Sequence, residues 1–130
     1  MASEEFLLKQ FKEQLITFMD ELIEKFPNES EFIILRILIK DQMKIENIMG
    51  KFLKEIYPKK NDIKNRKDSF FIENNFLSTT NGSLFKNLWR SEILDREDKD
   101  IIWKWMDAFL YIGSTYLSNY GYIKNWEPST

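Results

Sequence analysis

Two groups of charged side chains are dense enough in this sequence to suggest chemistry. The first is basic: Lys54, Lys59, Lys60, Lys64, Arg66 and Lys67 crowd one stretch, and Phe70 and Phe71 follow it. Clustered bases beside aromatic rings are what single-strand nucleic-acid binding uses, with cations on the phosphates and bases stacked on the rings. Glu55, Asp62 and Asp68 break the run, however, and paired phenylalanines belong more often to a core. A solvated charged loop is the simpler expectation, and with it weak or absent nucleic-acid binding at physiological salt. The second group is acidic: Asp95, Glu97, Asp98, Asp100 and Asp107. Its spacing lacks the glycine and alternating ligands of a calcium loop. Capping and the positive end of a helix dipole account for the first four residues, and Asp107 falls on a polar face. No metal site and no cofactor are expected.

Composition narrows the choices further. The sequence has no histidine and no cysteine, so the commonest general base, the commonest metal ligand and the thiolate nucleophile are all missing. An enzyme would need an unusual carboxylate or lysine mechanism, and none is expected. The net charge of −2 gives no global field to attract nucleic acid or an anionic membrane. The opening residues, MASEEFLLKQF, carry acids where a secretory signal needs bases. The longest apolar run, Phe32 to Leu35, is far short of a membrane span.

The elements that must position these groups are helical. Leu8, Phe11, Leu15, Phe18, Leu22 and Phe26 recur at steps of three or four and predict a helix from about Ser3 to Phe26. A second, EFIILRILIKDQM, is apolar almost all round and is expected to be buried. A short strand is its weaker alternative. Its polar strip, Arg36 and Lys40, calls for structural ion pairs. A third runs from Ile45 to about Tyr57 and ends at Pro58. A short helix around Asp62 to Asn74 is expected next, with an aromatic knot of Phe70, Phe71 and Phe76. A polar loop from Ser78 to Gly82 and a helix capped by Ser83 follow.

The last predicted helix, Leu94 to Leu117, organises the rest. Ile101, Trp105, Phe109, Ile112 and Tyr116 lie on one line of a helical wheel. The whole apolar arc covers roughly 200°, twice an ordinary surface helix. Trp103 and Trp105 stand about 160° apart, so they cannot share one contact. Trp105 is expected mid-arc in the core. Trp103, with Leu110 and Leu117 near it, is either core or interface; tryptophan favours interface hot spots. The expected architecture is all-α, a single compact bundle of about five or six helices. It makes one domain over residues 1–130, with the tail 119–130 docking in part and fraying.

Several stretches together resemble one group of proteins. They are Lys54-Glu55-Ile56-Tyr57-Pro58, Asp62-Ile63-Lys64-Asn65-Arg66 before Phe70-Phe71, and Phe85-Lys86-Asn87-Leu88-Trp89. To these add Leu94-Asp95-Arg96-Glu97-Asp98-Lys99 leading to Ile102-Trp103-Lys104-Trp105-Met106-Asp107 and Phe109. This pattern is similar to small helical proteins encoded by the nucleocytoplasmic large DNA viruses of protists. The resemblance implies a virus-encoded protein acting in the host cytoplasm or the virion, and it brings no functional residue with it. The expected function is non-enzymatic: protein–protein contact, including self-association, through Trp103, Leu110 and Leu117. The alternative is nucleic-acid association through Lys59, Lys60, Lys64, Arg66 and Lys67.

Overall fold

In the computed structural model, the first and last long helices form the frame on which the others pack. The structure describes residues 3–74 and 84–121. Phe76, the loop 78–82, the expected cap at Ser83 and the tail beyond Gly121 lie outside the described residues. Helix α1 (Glu4–Lys25) starts where Ser3 accepts the Phe6 N–H at 3.1 Å. Helix α7 (Arg96–Tyr120) starts with a reciprocal cap. The Asp95 carboxylate accepts the Asp98 N–H at 2.8 Å, and the Asp98 carboxylate accepts the Asp95 N–H at 3.3 Å.

These two helices run antiparallel and are tied at both ends. The Tyr116 hydroxyl donates to Glu4 Oε1 at 2.7 Å, and Lys25 Nζ lies 2.9 Å from Asp98 Oδ1. Between the ties, Phe109 of α7 sits edge-on to Phe11 and Phe18 of α1, with centroids 6.0 and 5.5 Å apart.

Four of the remaining helices lie between these two in sequence before the last short one. Helix α2 (Ser30–Ile37) runs on into a wide π-type turn, Leu38–Gln42, closed by Met43 N–H to the Leu38 carbonyl at 2.8 Å. Helix α3 (Ile45–Lys51) ends in a similar wide turn, Phe52–Ile56, and then a 3₁₀ turn, Tyr57–Lys59. The stretch from Ile45 ends at Ile56, close to the expected Tyr57–Pro58 boundary, but the chain stays helical beyond Pro58. That proline occupies the first positions of the 3₁₀ turn, where a missing N–H costs little, and α4 (Lys60–Lys64) follows directly. The single helix expected around 62–74 is two, α4 and α5 (Ser69–Glu73), parted at Arg66, whose φ is +54°. Helix α6 (Leu84–Arg90) completes the set. Five of these helices have seven or more residues, and no strand occurs among the described residues. The protein is therefore all-α, a compact bundle around one connected core.

Two expectations are corrected. Helix α2 was expected to be buried all round. It buries Phe32, Leu35 and Ile39, but Ile33, Ile34 and Ile37 stay 44%, 53% and 47% exposed. It packs on α1 at the edge of the bundle, so one side has no neighbour among the described residues. The second correction concerns the two tryptophans of α7. The buried arc is centred on Ile102, Met106 and Gly113, not on Trp105. Helices α5 and α6 pack against the Trp103 margin, so Trp103 is 3% exposed and packs on Phe71 at 4.9 Å and Trp89 at 5.2 Å. Leu110 is buried beside it, and Leu117 is half-buried. Trp103 and Leu110 are thus core residues, and neither is available as the centre of a protein contact. The opposite margin is open: Ile101 is exposed and Trp105 half-buried.

Gly113 sits where α7 meets the wide turn after α3. A Cβ there would lie 2.8 Å from Phe52 Cε1, so the missing side chain is what lets this ring reach α7. Burial accordingly makes Trp103 the costlier of the two tryptophans to remove. Trp103→Ala should cost about 3–5 kcal/mol, the range for deleting a large core ring. Trp105→Ala should cost clearly less. Thermal or chemical melts of the two variants check this order.

Candidate functional site

The basic run does not form one surface. Arg66, held in its left-handed backbone conformation, donates Nη1 to the Ile63 carbonyl at 3.1 Å. The same guanidinium forks onto Asp107, reaching Oδ1 at 2.8 Å and Oδ2 at 2.6 Å, and lies over the Trp103 ring at 5.8 Å. Lys67 pairs with Asp62 at 3.7 Å, and Lys59 donates to the Asn74 side-chain oxygen. Phe70 and Phe71, the rings expected to accompany the bases, are fully buried. Lys60 and Lys64 face elsewhere, into a groove between α4 and α7 with Tyr57 and Tyr111. Of the five basic candidates, the fold keeps two together and commits the other three to internal partners.

The acidic group is likewise structural in its geometry. Asp95 and Asp98 cap each other, and Asp107 is held by Arg66. Arg36 pairs with Asp20 of α1 at 2.5 Å, the ion pair its place on α2 called for.

A groove of about 290 Å³ lies along the open margin of α7, between it and the second half of α1. Phe18, Leu22, Ile101 and Trp105 line its apolar part, with Glu21 and Asp98 among its polar groups. Trp105 Nε1 donates to Glu21 Oε2 at 2.5 Å while its ring packs on Phe18 at 5.7 Å. Burial pushes the Asp98 carboxyl up, but hydrogen bonds from Lys25 and the Asp95 backbone outweigh it and hold the group below its usual range. Burial, and then the hydrogen bond to Glu4, raise the Tyr116 hydroxyl well above its usual value.

Among the described residues, the outer face of α2 gathers three exposed isoleucines. On a wheel of about 100° per residue, Ile33, Ile37 and Ile34 occupy one arc of roughly 100°. Phe32, Leu35 and Ile39 lie on the other side, against the bundle. Lys40 and Asp41 border the isoleucine arc near its C-terminal end, both exposed. Sequence reasoning missed this face because an all-round apolar helix reads as buried. The signal present was length: a short helix has few turns to surround. No described helix is long and apolar enough to cross a membrane.

The two ends of the α1–α7 pair should answer to opposite extremes of pH. Asp98 titrates below its ordinary 3.8 when folded, so its contribution is present above that pH and is lost as acid protonates the folded carboxylate. Tyr116 titrates above its ordinary 10.0, so its contribution holds below that pH and fades as the solution becomes more alkaline. Asp98→Asn should flatten the acid limb of a stability-versus-pH curve and, because Asp98 also raises Lys25, ease part of the alkaline limb; Tyr116→Phe should flatten the alkaline limb alone. No family model, curated protein or solved structure matches this chain.

Proposed function

We propose that this is a non-enzymatic protein that works through contacts with other proteins, beginning with a second copy of itself. We take it to be encoded by a large DNA virus and to act in the host cytoplasm or the virion. The viral origin rests on the resemblance carried by the Asp-rich cap and the Trp103–Trp105 region. The contact reading rests on one observation, the isoleucine arc of α2. Branched apolar side chains on consecutive turns gain little from facing water and a good deal from facing one another.

The size of that gain sets the kind of contact. Covering the exposed half of one isoleucine is worth about 1 kcal/mol, or about 6 kcal/mol for the three residues of two copies. Association itself costs roughly 4–15 kcal/mol. The arc alone therefore supports a weak, concentration-dependent pairing, with tighter association requiring neighbouring surface. An antiparallel pairing of two α2 helices carries Lys40 of one copy towards the Glu29 and Glu31 end of the other, which favours that orientation.

Sedimentation over a wide concentration range tests the proposal. The native chain should show a rising average mass, and Ile34→Lys with Ile37→Lys should hold it monomeric. Both sites are solvent-facing, so the melt of the double variant should match the native one. A native chain that stays monomeric into the high micromolar range would remove self-association from the proposal.

A further inference from the structure

The geometry points to a second, separate site: the groove of Tyr57, Lys60, Lys64 and Tyr111 binds single-stranded nucleic acid. Its phosphate sits on the two lysines and its base on Tyr111. The groove has a volume of about 320 Å³, with Leu110 and Asp107 also in its walls. That is the size at which small-ligand pockets begin, about 300 Å³.

The charges suit a phosphate. Lys60 and Lys64 are one turn apart on α4, an i,i+4 pair whose Cβ atoms stand about 5–6 Å apart. Two ammonium groups so placed can hold one phosphate between them or two in succession. Asp107 would oppose an anion, but both of its oxygens are taken by the Arg66 guanidinium. Its charge is answered before a ligand arrives. Lys64 has no carboxylate partner within ion-pair distance among the described residues, and Lys60 lies over the Tyr57 ring at 4.8 Å.

The ring suits a base. Tyr111 is 73% exposed, the most exposed large aromatic side chain among the described residues. It stands on α7 at the lip of the groove, its backbone held by the helix and its carbonyl accepting from the Ser114 and Thr115 hydroxyls at 3.0 Å. A rigid aromatic beside two cations is the stacking-plus-phosphate combination by which single strands are held without sequence preference. Phe70 and Phe71, which follow the basic run, are in the core, as paired phenylalanines more often are; Tyr57 and Tyr111 are the rings beside the lysines. This site shares no residue with the isoleucine arc of α2, so either proposal can fail alone.

The test is a titration of the full chain with a labelled thymidine oligonucleotide at low and physiological salt. Thymidine monophosphate, inorganic phosphate and a phosphotyrosine peptide serve as parallel competitors. The oligonucleotide should bind measurably at low salt, with a log–log salt slope of about −0.7 for one phosphate held between the lysines or about −1.4 for two. Lys60→Gln with Lys64→Gln should weaken it at least about 10-fold, and so should Lys64→Glu alone, at an exposed position. Tyr111→Ala should weaken it by about 5-fold or more, the scale of one base–aromatic stack, while Tyr111→Phe keeps the affinity. Thymidine monophosphate competing as well as the oligonucleotide would assign the groove to a single nucleotide unit and uphold its chemistry. The proposal is overturned by no binding at low salt or by lysine variants that bind like the native chain. Equal behaviour of Tyr111→Ala and Tyr111→Phe, or tighter binding of inorganic phosphate or the phosphotyrosine peptide, would overturn it too.

Discussion

The antiparallel contact of α1 with α7 is the constraint on which the rest of this bundle depends. Phe11, Phe18 and Phe109 interlock edge to face along it, a geometry worth about 0.5–1.5 kcal/mol per pair beyond simple burial. Both ends are closed by charged or polar contacts. Everything else packs on this pair. Helix α2 lies on α1 through Phe32, whose ring meets Phe26 at 6.4 Å. The wide turn after α3 inserts Phe52 against Phe11 at 5.4 Å, through the gap that Gly113 leaves in α7. Helices α5 and α6 stack Phe71 on Trp89 at 4.3 Å and cover one margin of α7. The other margin is left to Trp105 and solvent.

Polar groups follow the same economy. Among the described residues Asp98 is the one buried charged side chain, and it has the Lys25 cation and the Asp95 backbone N–H to satisfy it. Trp89, deep in the core, sends its indole N–H to Asp68 at 2.8 Å. Arg66 secures the left-handed link between α4 and α5 by gripping α7 through Asp107. A non-glycine residue in that conformation is uncommon, and here its own side chain supplies the anchoring.

How much of this was legible in the sequence depended on where each signal resided. Ser3, Asp95 and the three-and-four spacing of Leu8 to Leu22 are local, and they predicted the ends and inner face of α1 and the start of α7 correctly. The apolar arc of α7 was also visible, but a wheel has no record of which margin a neighbour will cover. Trp103, which the sequence left as core or interface, is core, and Trp105 is only half-buried, because α5 and α6 pack on the Trp103 side. The same limit applies to α2, where an apolar circumference could not reveal that only one half meets the bundle. Among the basic residues, the sequence showed the cluster but not its partners. Asp107 lies 41 positions from Arg66, and only the fold reveals that this cation is already engaged while Lys60 and Lys64 are not so paired.

The pairing of α1 with α7 also has a consequence for how the chain comes to be folded. Its contacts join residues 84 and 112 positions apart, whereas most neighbours elsewhere in the bundle are close in sequence. At a synthesis rate of roughly 5–20 residues per second, α1 leaves the ribosome several seconds before its principal partner exists. During that interval Phe11, Phe18 and Leu22 must be sheltered by what has already emerged, and α2 and α3 are the available cover. The isoleucines that α2 cannot bury in the finished bundle stay exposed throughout. A nascent chain thus presents this exposed apolar face early, well before α7 has been made.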